Sequence, residues 1–183
     1  MRVILYEDNT AIRDSLSILL EGMPGIELIG AFPNPVSWDR HLRDTQPDVI
    51  MMDIEMPGLD GIRATQAIHA KYPLINIVML TVFEEEDKIF RALCAGAVGY
   101  ILKNTTPTRL IDAVQVAHAG GAPLSPSIAR KAARVFQQVM PNRYAPSDAE
   151  PLTQREGETL KYLVEGLSYK MIADRMGGIS YET

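Results

Sequence analysis

No apolar run in this 183-residue sequence approaches the roughly 18 residues that a membrane-spanning helix requires. A secretory leader is lacking too, because Met1-Arg2-Val3-Ile4-Leu5 runs at once into Glu7 and Asp8. Cysteine occurs once, at Cys94, which excludes an internal disulfide and fits a reducing compartment. That thiol is expected to be a small apolar residue on a packed helix face. The three histidines, His41, His69 and His118, fall in separate expected helices without ligand spacing, so surface positions are expected rather than a histidine metal site. A surplus of positive charge is also missing. Up to Gly120 there are 10 Lys and Arg against 16 Asp and Glu, net −6, and from Gly121 onward 8 against 7, net +1. Any contact with a polyanion is therefore expected from the back of the chain. Internal repeats and low-complexity tracts are absent. Length favours one domain of common size with a small appendage, and the expected setting is the cytoplasm, away from membranes.

What is present alternates regularly. Arg2 to Tyr6 is an apolar strand ending in Glu7-Asp8, after which Asn9 caps a helix with Ile12, Leu16, Leu19 and Leu20 on one face. Gly22-Met23-Pro24-Gly25 breaks that helix; Ile26 to Phe32 reads as a strand and Pro35 to Arg43 as a helix holding a partly buried Trp38. Val49-Ile50-Met51-Met52, between Pro47 and Pro57-Gly58, reads as a strand buried on both faces that delivers Asp53 to its carboxyl end. A helix from Ile62 to Tyr72, a strand from Leu74 ending at Thr81, a helix opened by Glu84-Glu85-Glu86-Asp87, a strand from Ala97 to Leu102 and a helix from Pro107 to His118 complete the series. The four acids suit the positive end of a helix dipole and are expected to form a solvated first turn, with a docking patch as the alternative. Five strands joined to five helices by short links specify an α/β fold, a doubly wound five-stranded parallel sheet of order 2-1-3-4-5 with right-handed crossovers.

From Ser125 the pattern changes. A separate helix runs to about Val139, and residues 141–151 have the polar, proline-punctuated composition of a linker. Thr153 and Glu156 form a capping box, Leu160, Leu163 and Val164 give a buried stripe ending at Gly166, and Ser168 caps a second short helix. Two short helices joined by a glycine turn begin a helix-turn-helix. The expected domains are 1–122, a linker with one helix over 123–151, and 152–183.

Glu7-Asp8, Asp53, Thr81 and Lys103 close four different strands, and in an open α/β sheet those ends meet at the ligand-binding edge. Converging carboxylates without a built-in cation repel one another, so either one is protonated or a divalent ion lies between them. Oxygen ligands in small number favour Mg2+, which keeps waters and leaves room for a phosphoryl group. Such an ion would offset charge during in-line transfer to Asp53, giving an aspartyl phosphate, while Lys103 and Thr81 bind the phosphoryl oxygens.

In these pieces, Glu7-Asp8, Met52 through Gly61, Thr81 and Gly99-Tyr100-Ile101-Leu102-Lys103, the chain resembles a two-component response regulator of the NarL/FixJ-like group: a CheY-like receiver followed by a LuxR-type helix-turn-helix. The resemblance implies that Asp53 takes phosphate from a cognate histidine kinase, and that Asp8, Asp53 and the Glu55 backbone carbonyl hold Mg2+ with help from Glu7. It also implies that Tyr100 turns inward as Thr81 moves, and that homodimers form through the fourth helix, fifth strand and fifth helix or through the output domain. Tyr100 as an ordinary packed aromatic with its hydroxyl at the surface is the alternative. Three departures stand out: Glu7 where a second aspartate is frequent, Val82 where a small residue is usual, and Asn104 where proline is frequent.

Leu152 to Glu156 and Glu165 to Ala173 are similar to the opening of the LuxR-type DNA-binding domain. The chain ends at Thr183, where the recognition helix is expected to start, which suggests a trimmed piece of a longer protein. Lys170, Ser180, Tyr181 and Thr183 are the candidate DNA contacts. The sequence is expected to belong to a regulator rather than an enzyme. Haloacid-dehalogenase-like phosphatases also use an aspartyl nucleophile, but on the first strand and with a second aspartate two residues on, a spacing that Tyr6-Glu7-Asp8-Asn9-Thr10 does not supply. A stand-alone receiver acting by protein contact is the other rival.

Overall fold

The structure, a computed structural model, describes residues 1–139 together with Glu158, Lys161, Tyr162, Arg175 and Met176. Eleven elements follow in order: β1 (Arg2–Tyr6), α1 (Thr10–Glu21), β2 (Glu27–Phe32), α2 (Trp38–Thr45), β3 (Val49–Met52), α3 (Gly61–Lys71), β4 (Asn76–Thr81), α4 (Glu86–Cys94), β5 (Gly99–Leu102), α5 (Pro107–His118) and α6 (Pro126–Val139). The strands form one parallel sheet of order β2-β1-β3-β4-β5. The expected doubly wound fold is present, with the order reversing between β1 and β3.

Successive side chains of a strand point to opposite faces, and here both faces are apolar. Ile4, Tyr6, Ile50, Met52, Ile77 and Met79 pack on one side with Leu42, Ile62, Ile68 and Ile89 from α2, α3 and α4. Val3, Leu5, Val49, Met51, Val78 and Leu80 pack on the other with Leu20 of α1 and Leu110, Ile111 and Val114 of α5. Every strand is thereby fixed in register, because a slip by one residue would exchange the two cores.

Local chemistry sets the element ends. Asn9 Oδ1 accepts from Ile12 N at 3.1 Å, Asp60 Oδ1 from Arg63 N at 2.9 Å and Thr106 Oγ1 from Arg109 N at 3.4 Å, each capping a helix N-terminus. Helix α2 begins three residues later than its apolar pattern suggests. Asn34 Oδ1 accepts from Val36 N at 3.1 Å, and this local turn holds Pro35 and Val36 out of the helix.

Three expectations need correction. Cys94 closes α4 with its thiol exposed, because the buried stripe of that short helix is carried by Ile89 and Ala92 instead. His41 is not a simple surface histidine. Its ring stacks on Phe32 at 3.6 Å between centroids and its Nδ1 lies 3.1 Å from the Tyr6 hydroxyl. The acidic opening of α4 is not merely solvated, since Glu84 pairs with Lys131 at 2.9 Å and Glu86 with Arg134 at 3.2 Å, both partners lying on α6.

Those contacts place α6 against α4. Ile128, Ala132 and Val135 are buried, the first two in the same cluster as Ile89, Ala92 and Tyr100. The first compact unit accordingly runs Met1–Pro141, and the second Asn142–Thr183. Helix α6 thus covers part of α4. In the second unit Glu158, Lys161, Tyr162 and Arg175 are helical, with the Arg175 guanidinium 5.6 Å from the Tyr162 ring centre. The expected capping box at Thr153 and Glu156, the Ser168 cap and the candidate DNA contacts Lys170, Ser180, Tyr181 and Thr183 lie outside the described residues. No helix among the described residues is long and apolar enough to cross a membrane.

Candidate functional site

The register of β1 on β3 pairs Tyr6 with Met52, so the next residues, Glu7 and Asp53, emerge side by side where the strand order reverses. Asp53 N donates to the Tyr6 carbonyl at 3.0 Å, which extends the ladder to the site itself. On the far side, β4 ends at Thr81 and Lys103 N donates to the Thr81 carbonyl at 2.8 Å, carrying Lys103 to the same edge.

Lys103 Nζ lies 2.8 Å from Asp53 Oδ2 and 2.7 Å from Glu7 Oε2. Asp53 Oδ1 accepts from Ile54 N at 2.7 Å, and Glu7 Oε1 from Asn9 N at 3.2 Å. Glu7 is fully buried and Asp53 is 5% exposed, which is unusual for carboxylates and requires compensation. One ammonium serves both. Its contact with Glu7 Oε2 is an ion pair at 2.7 Å, so a single ammonium is divided between two buried carboxylates.

Burial pushes the Glu7 carboxyl above the usual range; the bond from Lys103 opposes this and the nearby Asp53 charge adds to it. Asp53 is raised in the same way, with Lys103 again opposing. For Lys103 itself burial works downward, but the bonds to Asp53 and Glu7 together outweigh it and hold the ammonium above its ordinary value. The site therefore has two carboxylates under-compensated by one cation, and Asp8 stands exposed at its rim.

Carboxylate oxygens of Glu7, Asp8 and Asp53 all lie within 4.8 Å of one another. This all-oxygen set, two of whose carboxylates share one ammonium, fits a hard divalent cation. Glu55 turns its side chain away, to Lys88 at 2.9 Å, so only its backbone could serve here.

The loop from Asp53 to Gly61 closes tightly: Gly61 N donates to the Ile54 carbonyl at 2.8 Å. A Cβ at Gly61 would stand 1.8 Å from the Asp53 carbonyl oxygen, so only glycine permits this approach. Thr81 is fully buried, and its Oγ1 accepts from Phe83 N at 3.3 Å. Tyr100 is buried too. Its hydroxyl donates to the Phe83 carbonyl at 2.9 Å rather than reaching solvent.

Two contributors have no signal in the strand-end pattern. Arg13 donates from Nη1 to the carbonyls of Glu7 at 2.8 Å and Asp8 at 3.2 Å, fixing the acidic loop from one turn into α1. Lys88 sits 3.1 Å over the Phe83 ring centre while pairing with Glu55.

Residues 3–115 match the response regulator receiver domain. The chain belongs to that family. It is similar to the uncharacterized transcriptional regulatory protein YxjL of Bacillus subtilis, 34% identical over 176 residues that cover 96% of this chain and 81% of YxjL. LiaR, a transcriptional regulatory protein of the same organism, is likewise 34% identical, with 96% and 82% covered. Among solved structures, the response regulator ChrA of a heme-sensing two-component system is 30% identical with a TM-score of 0.61, covering 97% of this chain and 82% of that one. The family is one of signalling receiver domains rather than classical enzymes.

Proposed function

We propose that Asp53 is the phosphoacceptor of a two-component pathway and that its phosphorylation by a histidine kinase controls transcription through the C-terminal helix-turn-helix. The observation that carries this reading is Lys103 Nζ bridging Asp53 and Glu7 beside Asp8 at the reversal of strand order. Mg2+ is the cation the oxygen set suits; Glu7, Asp8, Asp53 and the Glu55 carbonyl would hold it, and it would supply charge neutralisation during transfer.

An Asp53 carboxylate oxygen attacks phosphorus in line with the departing imidazole; the P–N bond breaks, a P–O bond forms, and the imidazole nitrogen keeps the electron pair and takes up a proton. Lys103, already paired with Asp53, stays with the transferred group and offsets its negative charge. The Thr81 hydroxyl turns from Phe83 N to a phosphoryl oxygen, and Tyr100 follows through its bond to the Phe83 carbonyl. The added charge of about −1.5 to −2 thereby biases packing around α4, β5 and α5.

The output reading draws on YxjL and LiaR, both transcriptional regulatory proteins. DNA contact falls to the C-terminal segment that includes Lys170, Ser180, Tyr181 and Thr183, with a homodimer matching paired half-sites in the cytoplasm. Incubation with acetyl phosphate and Mg2+ tests the core of this. Mass spectrometry should find one phosphoryl adduct on Asp53, absent from Asp53→Asn; an unlabelled wild type overturns the reading.

A further inference from the structure

Of the three carboxylates at the site, two are anchored through their own oxygens. Glu7 accepts from Asn9 N and pairs with Lys103, and Asp53 accepts from Ile54 N and pairs with the same ammonium. Asp8 differs. Its carboxylate is exposed and has no hydrogen bond or ion pair among the described residues, yet it brings an oxygen within 4.8 Å of those of Glu7 and Asp53. Like charges repel, so an exposed and unanchored carboxylate would swing toward water. What keeps Asp8 facing its neighbours is its backbone.

Arg13 grips that backbone. Its Nη1 donates to the Glu7 carbonyl at 2.8 Å and to the Asp8 carbonyl at 3.2 Å, and its Nη2 to Thr10 Oγ1 at 3.3 Å. The base of the side chain is fixed as well, since Arg13 N donates to the Asn9 carbonyl at 2.8 Å in the turn that Asn9 caps. The planar fork thus spans two consecutive peptide groups, which a lysine ammonium reproduces poorly. Arg13 is in no ion pair among the described residues, although Glu7 and Asp8 carry carboxylates in the same loop. A cation this close to the N-terminus of α1 also works against the helix dipole. Neither charge pairing nor helix stability accounts for Arg13, whereas its hold on the acidic loop does.

We propose that Arg13 is a positioning residue for the cation site: it locks the Glu7-Asp8 backbone so that the Asp8 carboxylate stays beside Glu7 and Asp53, and this rigidity favours Mg2+ over Ca2+. The inference rests on the acidic set being a Mg2+ site. Mg2+ demands near-octahedral ligands at short range, while Ca2+ accepts looser and more variable ones, so a loosened loop penalises Mg2+ more. Charge alone has the opposite sign. A guanidinium beside the site repels a dication, and its removal by itself would tighten the binding of both ions.

Calorimetric titration of the full chain with MgCl2 and, separately, with CaCl2 tests this. Arg13→Ala should weaken Mg2+ binding about tenfold, the scale usual for a residue that orients a metal ligand, and Ca2+ binding less than about threefold. Arg13→Lys, which keeps the charge, should fall between wild type and Arg13→Ala for Mg2+. Asp8→Asn should bind Mg2+ more weakly than wild type, and adding Arg13→Ala to it should cost less than about twofold more, because the two act as a unit. Urea unfolding in EDTA checks that each variant is folded. Mg2+ binding by Arg13→Ala as tight as wild type, or tighter, overturns the positioning role, and wild-type affinity in Arg13→Lys overturns the need for a fork. Equal losses for the two ions overturn the selectivity. A full tenfold loss on top of Asp8→Asn overturns the route through Asp8. A wild type that takes up no Mg2+ overturns the metal reading itself.

Discussion

Lys103 and Asp53 form a nearly buried ion pair across the carboxyl ends of β5 and β3, at 2.8 Å, and the same ammonium is shared with Glu7. Removing it leaves two buried carboxylates facing each other. Lys103→Met should destabilise the metal-free protein by about 3 kcal/mol, near the low end for breaking a buried pair because the carboxyls can respond by taking up a proton. Urea unfolding in EDTA measures this, and a loss below about 1 kcal/mol would refute the sharing.

The raised carboxyls of Glu7 and Asp53 give a pH dependence of definite sign. A carboxyl whose folded value exceeds its unfolded one binds more protons when folded, so it adds stability as pH falls through the interval between the two. In EDTA, wild type should gain stability relative to Glu7→Gln as pH drops from neutral into that interval. With millimolar Mg2+ the trend should reverse, since the cation needs the ionised forms. Thermal unfolding across pH with and without metal decides it.

Gly61→Ala should disable the site although Gly61 is not itself a ligand. The new methyl has no room beside the Asp53 carbonyl, so the loop must open, at an expected cost of at least about 2 kcal/mol and with loss of Mg2+ affinity. Calorimetric titration with Mg2+ that matches wild type would contradict this.

Val82 follows Thr81 and is 65% exposed at the end of β4, where it can restrict the approach of water to the phosphorylated residue. Val82→Ala is expected to shorten the lifetime of the aspartyl phosphate severalfold. Equal dephosphorylation rates would remove Val82 from the mechanism.

The exposed thiol of Cys94 should react fully with a disulfide reagent under native conditions, without denaturant. Reactivity only after unfolding would place it where its small apolar character suggests.

The sheet and its order were legible because apolar strands between polar turns carry a strong pattern, and because four of the five strands lead into a residue with distinct chemistry. Glu7, Asp53, Thr81 and Lys103 could be grouped from position alone. Arg13 could not, since its role is to bind backbone carbonyls that leave no mark in side-chain spacing. Lys88, Lys131 and Arg134 look like ordinary solvated charges until tertiary packing brings Glu55, Glu84 and Glu86 to them. The packing of α6 escaped for the same reason: a proline-led amphipathic helix after a complete α/β series has the sequence of a connector, and only its partner reveals which surface it covers.

The run from Pro123 to Leu124 also closes the outer rim of β5, taking the Tyr100 amide that would otherwise stand open at the border of the sheet. A fragment cut after residue 122 would bare that border together with the apolar side of α4, inviting strand-to-strand association between molecules. One cut after Val139 retains its own plug, and should stay monodisperse at concentrations where the shorter piece precipitates.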